Sequence, residues 1–155
     1  MRETVETWLK KSVKKLKDAE IASAQLDAEL ILAHVLGVER TFLHANPQKK
    51  LSKTLVFHAN NFLNKRIKRV PLAYIFQKKD FFGRTFFVNE NVLVPRPETE
   101  TLIEITQKIL QPNDVILDVG TGSGIIPITL KAECGERVEV FASDISLQAL
   151  AVANL

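Results

Sequence analysis

The residues whose types and spacing could bind a ligand are concentrated between positions 114 and 130. An apolar run at 115–119 includes Asp118 and leads into three glycines at alternate positions, Gly120, Gly122 and Gly124. A second apolar run, 125–130, follows directly. A buried strand that ends in a glycine turn and continues as a helix forms nucleotide sites in α/β sheets. Glycines let such a backbone approach a ligand that a Cβ atom would repel.

The spacing of these glycines narrows the class of nucleotide. A dinucleotide fingerprint, Gly-x-Gly-x-x-Gly, would place its third glycine at position 125, which is Ile125, while Gly124 comes one residue early. A Walker loop needs Gly-Lys followed by Ser or Thr, and that sequence is absent. These departures disfavour a nicotinamide dehydrogenase and indicate a nucleoside ligand without a diphosphate pocket. S-adenosylmethionine fits that description.

Two acidic residues flank the turn. Asp144 ends the next apolar segment, 24 positions after Gly120, where an acidic residue accepts hydrogen bonds from ribose hydroxyls in nucleotide sites. Asp118 is placed to orient a positively charged amino-acid moiety, directly or through water. The turn residues Thr121 and Ser123 complete the predicted cofactor site. We predict no metal site.

Periodicity and capping residues predict the elements that position this site. We expect Ser23, Ser52 and Ser146 to cap helices and Gly37 to end one. In the first half, the predicted elements are helices at 3–18 and 24–36, one or two short turns at 39–45, and a longer helix that follows Ser52 and ends before Pro71. In the second half, they are a hairpin at 81–88, a helix at 97–110, a strand at 115–119, a helix to 133, a strand at 138–142 and a helix at 147–155. This order predicts an α/β fold with a parallel sheet and right-handed crossovers.

Composition places the chain among ordinary globular proteins. It has 155 residues, 46% hydrophobic and 25% charged. No apolar run is long enough to span a bilayer, and the start lacks the apolar core of a signal peptide. The single cysteine, Cys134, excludes an internal disulfide and suits a reducing compartment. We therefore expect a cytoplasmic protein that does not contact membranes.

Charge is distributed unevenly along the chain. Residues 1–75 carry 14 Lys and Arg against 7 Asp and Glu, whereas residues 76–155 carry 7 against 11. A basic half indicates either an anionic partner, such as nucleic acid or a ribosome-associated protein, or a solvated lysine face. We give the solvated face the greater weight, because charge alone does not decide between them.

Both predicted strands are apolar enough to be covered on two faces. Parallel sheets buried in this way are almost never two-stranded. We therefore expect the 155 residues to be a segment of a longer protein.

Three stretches resemble known families. Asp-Val-Gly-Thr-Gly-Ser-Gly at 118–124 resembles the first motif of class I S-adenosylmethionine-dependent methyltransferases. Pro-Leu-Ala-Tyr-Ile at 71–75, the hairpin and Val-Leu-Val-Pro-Arg-Pro-Glu-Thr-Glu at 92–100 resemble the linker of the release factor glutamine methyltransferases. Residues 27–37, Asp-Ala-Glu-Leu-Ile-Leu-Ala-His-Val-Leu-Gly, are similar to a helix of their N-terminal domain.

This resemblance implies a domain plan and an activity. It implies a helical substrate-recognition domain at 1–70, a hairpin linker at 71–96, and the N-terminal part of a Rossmann-like methyltransferase domain at 97–155. The implied activity is methylation of the glutamine side-chain amide in the Gly-Gly-Gln motif of peptide chain release factors. The helical domain would bind the release factor, and direct nucleic-acid binding is not expected. Residues 120–124 and Asp144 match the cofactor-binding positions, and Arg96 and Thr99 would lie near the cofactor.

One departure from the family concerns the second substrate. The family presents its glutamine with an Asn-Pro-Pro-Tyr motif, whereas the Asn46-Pro47 of this chain is followed by Gln48 and Lys49. We therefore expect the 155 residues alone to have no catalytic residues and no transferase activity. Two alternatives stay open: methylation of another protein or nucleic-acid nitrogen, and a non-catalytic module that binds a partner.

Overall fold

The computed structural model describes residues 3–155. The chain divides into two compact units, 1–76 and 77–155, and each is described for its residues within 3–155. The first is a helical unit and the second an α/β unit. Their elements, in chain order, are α1 (Val5–Asp18), α2 (Ala24–Leu36), α3 (Arg40–Ala45), α4 (Lys53–Ile67), α5 (Leu72–Phe76), β1 (Lys79–Phe81), β2 (Arg84–Phe86), α6 (Glu98–Ile109), β3 (Asp114–Val119), α7 (Ile125–Cys134), β4 (Val138–Ser143) and α8 (Leu147–Ala153). Within this described part, no helix is long and apolar enough to cross a membrane.

The helical unit packs around the apolar stripes of α1, α2 and α4. Its largest fully buried side chain is Trp8, whose indole Nε1 donates a hydrogen bond to Asn60 Oδ1 at 3.0 Å. Leu16, Ile31 and Leu63 are buried in the same core cluster. These positions recur at helical spacing, so each helix buries one face against the others.

Two of three predicted serine caps are confirmed. Ser52 Oγ accepts from Leu55 N, and Ser146 Oγ accepts from Ala149 N, each at 3.2 Å. Ser23 does occupy the N-cap position of α2, but its side chain makes no capping hydrogen bond. The chain enters α2 through a turn with ψ near 26° at Ser23, not in the extended conformation that directs a capping side chain into the helix.

The C-terminal signal of α2 is confirmed, whereas one short helix was not predicted. Gly37 follows α2 in the left-handed conformation, at φ 64°, as a helix-ending glycine does. The sequence pattern did not predict α5. Five residues are too few for a periodic pattern, although the two N–H groups of Tyr74 and Ile75 both donate to Pro71 O.

The α/β unit begins with the predicted hairpin. β1 and β2 are antiparallel, and residues Phe82 and Gly83 connect them with positive φ at both positions. Phe81 and Phe86 are buried in a core cluster that also contains Ile103 of α6 and Leu130 of α7. Two of the four phenylalanines of the hairpin segment, Phe81 and Phe86, are therefore core residues.

β3 and β4 form the predicted parallel pair, in register from Asp114 opposite Val138 to Val119 opposite Ser143. The helix α7 connects them, and Ile116 of β3 packs into the same core cluster as Phe81. Alternate β3 residues point the other way. Val115, Leu117 and Val119 are 62–77% exposed, so within residues 3–155 the sheet is covered on one face only.

Candidate functional site

The glycine turn connects the carboxyl end of β3 to α7 and is held against the end of β4. The backbone N–H groups of Gly120 and Thr121 both donate to Ser143 O, at 2.8 and 3.0 Å. Gly124 N donates to Thr121 O at 3.0 Å, which closes the turn. Because β3 and β4 are parallel, their carboxyl ends meet at one edge, where open α/β sheets bind ligands.

Asp144, which follows β4, is hydrogen-bonded to the glycine turn that follows β3. Its Oδ2 accepts a hydrogen bond from Gly122 N at 2.8 Å, and its Oδ1 accepts one from Ser146 N at 2.9 Å. The carboxylate therefore bridges the glycine turn and the start of α8. The sequence predicted the proximity of Asp144 to the turn but not these hydrogen bonds.

The same contacts keep Asp144 ionised. Hydrogen bonds from the backbone N–H groups of Ser146, Gly122 and Ile145 lower the pKa of its carboxyl, against a smaller opposing effect of burial. Hydrogen bonds to a carboxylate favour its charged form. Each carboxylate oxygen has a second lone pair, so Asp144 can hold the turn and still accept a hydrogen bond from a ligand.

The first two glycines of the turn face open space. Gly120 and Gly122 have φ of 83° and 57°, and a Cβ atom added to either would meet no atom within 4 Å. Positive φ is costly for residues with a side chain. These glycines therefore keep the backbone of the turn accessible to a ligand.

Gly124 has a different role that sequence reasoning missed. A Cβ atom added there would lie 3.0 Å from Ile128 Cδ1 and 3.1 Å from Ala153 Cβ. This glycine therefore lets α8 approach the start of α7. A glycine at position 124, which distinguished this turn from a dinucleotide fingerprint, thus also allows α7 and α8 to pack closely.

Three buried polar atoms at the turn have no hydrogen-bond partner among the described residues: Asp118 Oδ2, Thr121 Oγ1 and Ser123 Oγ. Buried polar groups are rarely left without a partner. The open backbone, the ionised Asp144 and these three atoms fit a ligand with hydroxyl and amino groups, such as S-adenosylmethionine.

The two remaining predicted residues, Arg96 and Thr99, show no hydrogen bond to the turn among the described residues. Arg96 is exposed, and Thr99 lies in the first turn of α6, where its N–H donates to Arg96 O at 3.1 Å. Within residues 3–155, neither side chain forms a hydrogen bond with residues 118–124. Their role near the cofactor stays a prediction.

The described residues contain no group of three or more His, Cys, Asp or Glu side chains arranged to hold a metal ion.

Comparison with known proteins finds similarity along nearly the whole chain. Residues 7–76 match the model of the PrmC N-terminal domain. A release factor glutamine methyltransferase of Leptospira interrogans is 43% identical over 155 residues, which cover 98% of this chain and 54% of that relative. One of Nitratidesulfovibrio vulgaris is 38% identical over 97% of this chain and 51% of its own length.

A bifunctional methyltransferase of Rickettsia bellii is 31% identical over 99% of this chain and 33% of its own length. The chain thus spans about half the length of the release factor glutamine methyltransferases that it matches. The similarity covers both the helical unit and the glycine turn. Nearly the whole chain is therefore similar to release factor glutamine methyltransferases, and its residues 7–76 match the PrmC N-terminal domain.

Proposed function

We propose that this chain supplies the cofactor site and the partner-binding unit of an S-adenosylmethionine-dependent methyltransferase. Its substrate would be the glutamine amide in the Gly-Gly-Gln motif of peptide chain release factors. The observation that carries the proposal is the hydrogen bond between Asp144 Oδ2 and Gly122 N, since it unites the acidic residue and the glycine turn. The relatives named release factor glutamine methyltransferase support the substrate.

Each residue of the turn has a proposed task toward the cofactor. Asp144 would accept hydrogen bonds from the ribose hydroxyls through its remaining lone pairs, and Asp118 Oδ2 would accept one from the amino group. Gly120 and Gly122 would let the backbone approach, while the hydroxyls of Thr121 and Ser123 supply further donors. When bound, S-adenosylmethionine provides an electrophilic methyl group on a sulfonium centre.

The second substrate requires groups that this sequence does not contain. An amide nitrogen is a poor nucleophile because its lone pair is delocalised, so catalysis depends on holding it in line with the methyl group. The family uses Asn-Pro-Pro-Tyr for this purpose. That motif is absent from the 155 residues, so we expect them, on their own, to bind the cofactor without transferring its methyl group.

The helical unit is the proposed site of release factor binding. Residues 1–75 carry an excess of seven positive charges, which would attract an acidic surface over distances of about 10 Å at moderate salt. We expect a protein partner and no direct binding of nucleic acid.

Calorimetric titration of the chain with S-adenosylmethionine tests the cofactor site. Asp144→Ala should weaken binding at least about tenfold, because it removes a charged acceptor and the support of the turn. Asp80→Ala is the matched control, since Asp80 is an acidic residue of the same unit whose carboxylate accepts a hydrogen bond from Thr85 Oγ1 in the hairpin. Equal affinity of wild type and Asp144→Ala would contradict the assignment.

A further inference from the structure

The helical unit contains an open groove of about 430 Å³ between α1, α2 and α3. Val5 and Leu43, both buried, form its floor, and the half-buried Leu9 and Val13 form one side. An apolar groove of this size accommodates one or two side chains of a partner. No residue of the cofactor site lies in it.

Beyond the groove, α1 continues as a positively charged face. Glu6 and Lys10 both line the groove and form an ion pair at 2.7 Å, so they balance each other's charge. Lys14 and Lys17 follow Lys10 and Val13 by four residues each, so they continue the same face of α1. Both are exposed, and within residues 3–155 neither has an ion pair. Their charge is therefore available to a partner.

The opposite end of the groove is held in place by a buried carboxylate. Glu29, 2% exposed, accepts hydrogen bonds from Gln25 and from Arg40, whose Nη2 lies 2.7 Å away. His44 Nε2 lies 3.5 Å from the same carboxylate. Gln25 and His44 line the groove, so its polar end is fixed before a partner arrives, which lowers the entropy cost of binding.

We propose that this groove docks an acidic segment of the release factor that inserts an apolar side chain over Val5 and Leu43. The inference rests on the proposed function and specifies the surface that performs its recognition step. The apolar floor requires an apolar side chain, which a nucleic-acid backbone does not offer. A second copy of the chain in an isologous contact would bring Lys14 and Lys17 against the same lysines. An acidic protein segment complements both features.

The test is a titration of fluorescently labelled full-length bacterial release factor with the 155-residue chain, followed by anisotropy. The groove variant reverses three charges (Lys10→Glu, Lys14→Glu and Lys17→Glu), and a second variant, Val13→Asp, alters the apolar side. Each should weaken binding at least about tenfold, and the charge variant should also reduce the salt dependence.

Matched controls separate this surface from general charge and apolar effects. Lys53→Glu, Lys65→Glu and Lys68→Glu together make the same charge change on α4 and beside it, and Phe57→Asp alters an apolar side chain that is 62% exposed outside the groove. Both controls should stay within about twofold of wild type, since substitutions away from an interface are close to neutral. Trp8 emission confirms folding of every variant.

The outcomes distinguish the groove from the function on which it rests. If the groove and control variants lose the same affinity for the release factor, the groove is not the docking site. If the groove variants keep wild-type affinity, the groove is again excluded, although the chain still recognises the release factor. A wild-type chain that binds S-adenosylmethionine but no release factor would overturn both recognition proposals. Wild-type dimers that Val13→Asp dissociates in sedimentation would assign the groove to a second copy and overturn the inference.

Discussion

Gly83 and Gly124 share the same backbone φ of 72° but have different surroundings. Gly83 lies in the hairpin turn, where an added Cβ atom would meet nothing within 4 Å, whereas at Gly124 it would press on Ile128 and Ala153. Alanine substitutions at these two glycines therefore separate the cost of the positive φ from the cost of steric overlap. Positive φ costs a residue with a Cβ atom about 1–2 kcal/mol.

We expect Gly83→Ala to destabilise the α/β unit by about 1 kcal/mol and Gly124→Ala by about 2–4 kcal/mol, because the second adds overpacking. Denaturant-dependent hydrogen exchange of peptides from β3 and α7 measures both. Equal losses would show that α8 moves away from Gly124 at little cost. In that case Gly124 would serve the backbone conformation alone.

The helix α2 carries Glu29, a buried acidic residue of the helical unit whose pKa is shifted by its surroundings. Burial raises the pKa of Glu29, but hydrogen bonds from Gln25 and Arg40 and the nearby His44 outweigh that effect and lower it below the ordinary value of 4.5. A carboxyl with a lowered pKa in the folded state stabilises the fold above its unfolded pKa. That contribution is lost as the pH falls through the folded pKa.

We therefore expect Glu29→Gln to cost about 1–2 kcal/mol at pH 7 and to flatten the loss of stability between about pH 5 and pH 3. Trp8 is the single tryptophan and lies in the helical unit, so urea unfolding followed by its emission reports on this unit. Glu39→Gln, at an exposed acidic residue of the same unit, should change neither quantity. An unchanged acid profile in Glu29→Gln would show that another carboxyl causes it.

The elements that could be predicted from the sequence are those with a long periodic or strongly punctuated pattern. Helices α1, α2 and α4, the hairpin and the β3–α7–β4 order all follow from apolar spacing and from glycine, proline and serine signals. α5 could not be predicted because five residues after Pro71 show no period. Ser23 was predicted as a cap from its residue type, but a turn before α2 determines its conformation.

The sequence could predict which residues of the candidate site lie close together, but not which contacts they make. Parallel strands bring their carboxyl ends to one edge, so Asp144 could be placed beside the glycine turn. Its bond to Gly122 N and the packing of Gly124 on Ala153 depend on the position of α8. A single sequence carries no signal for the angle at which a seven-residue helix packs.

At the scale of the whole chain, the two units divide the proposed work. The helical unit has its own core cluster around Trp8 and the basic charge, whereas the α/β unit contains the glycine turn and the acidic excess. The partner groove and the cofactor turn draw their residues from different units. Substitutions in one should therefore leave the binding measured at the other unchanged, which is how the calorimetric and anisotropy titrations check each other.

The two faces of β3 differ more than the sequence suggested. Both were expected to be buried, yet Leu117 is 62% exposed while its neighbour Ile116 packs into the core cluster of the α/β unit. Phe141, opposite Leu117 in the register of the sheet, is 54% exposed. Contiguous exposed apolar side chains of this kind are unusual on a monomer surface and promote association.

A paired substitution on β3 measures this difference directly. Leu117→Thr should change the unfolding free energy by less than about 0.5 kcal/mol, because threonine suits a strand and the site is open. Ile116→Thr should cost about 1–3 kcal/mol, because it places a hydroxyl in the core. Hydrogen exchange of β3 in denaturant measures both, and binding of an apolar dye should fall in Leu117→Thr alone. If Leu117→Thr proved as costly as Ile116→Thr, the exposed face would be covered in solution, and sedimentation would then show whether a second copy covers it.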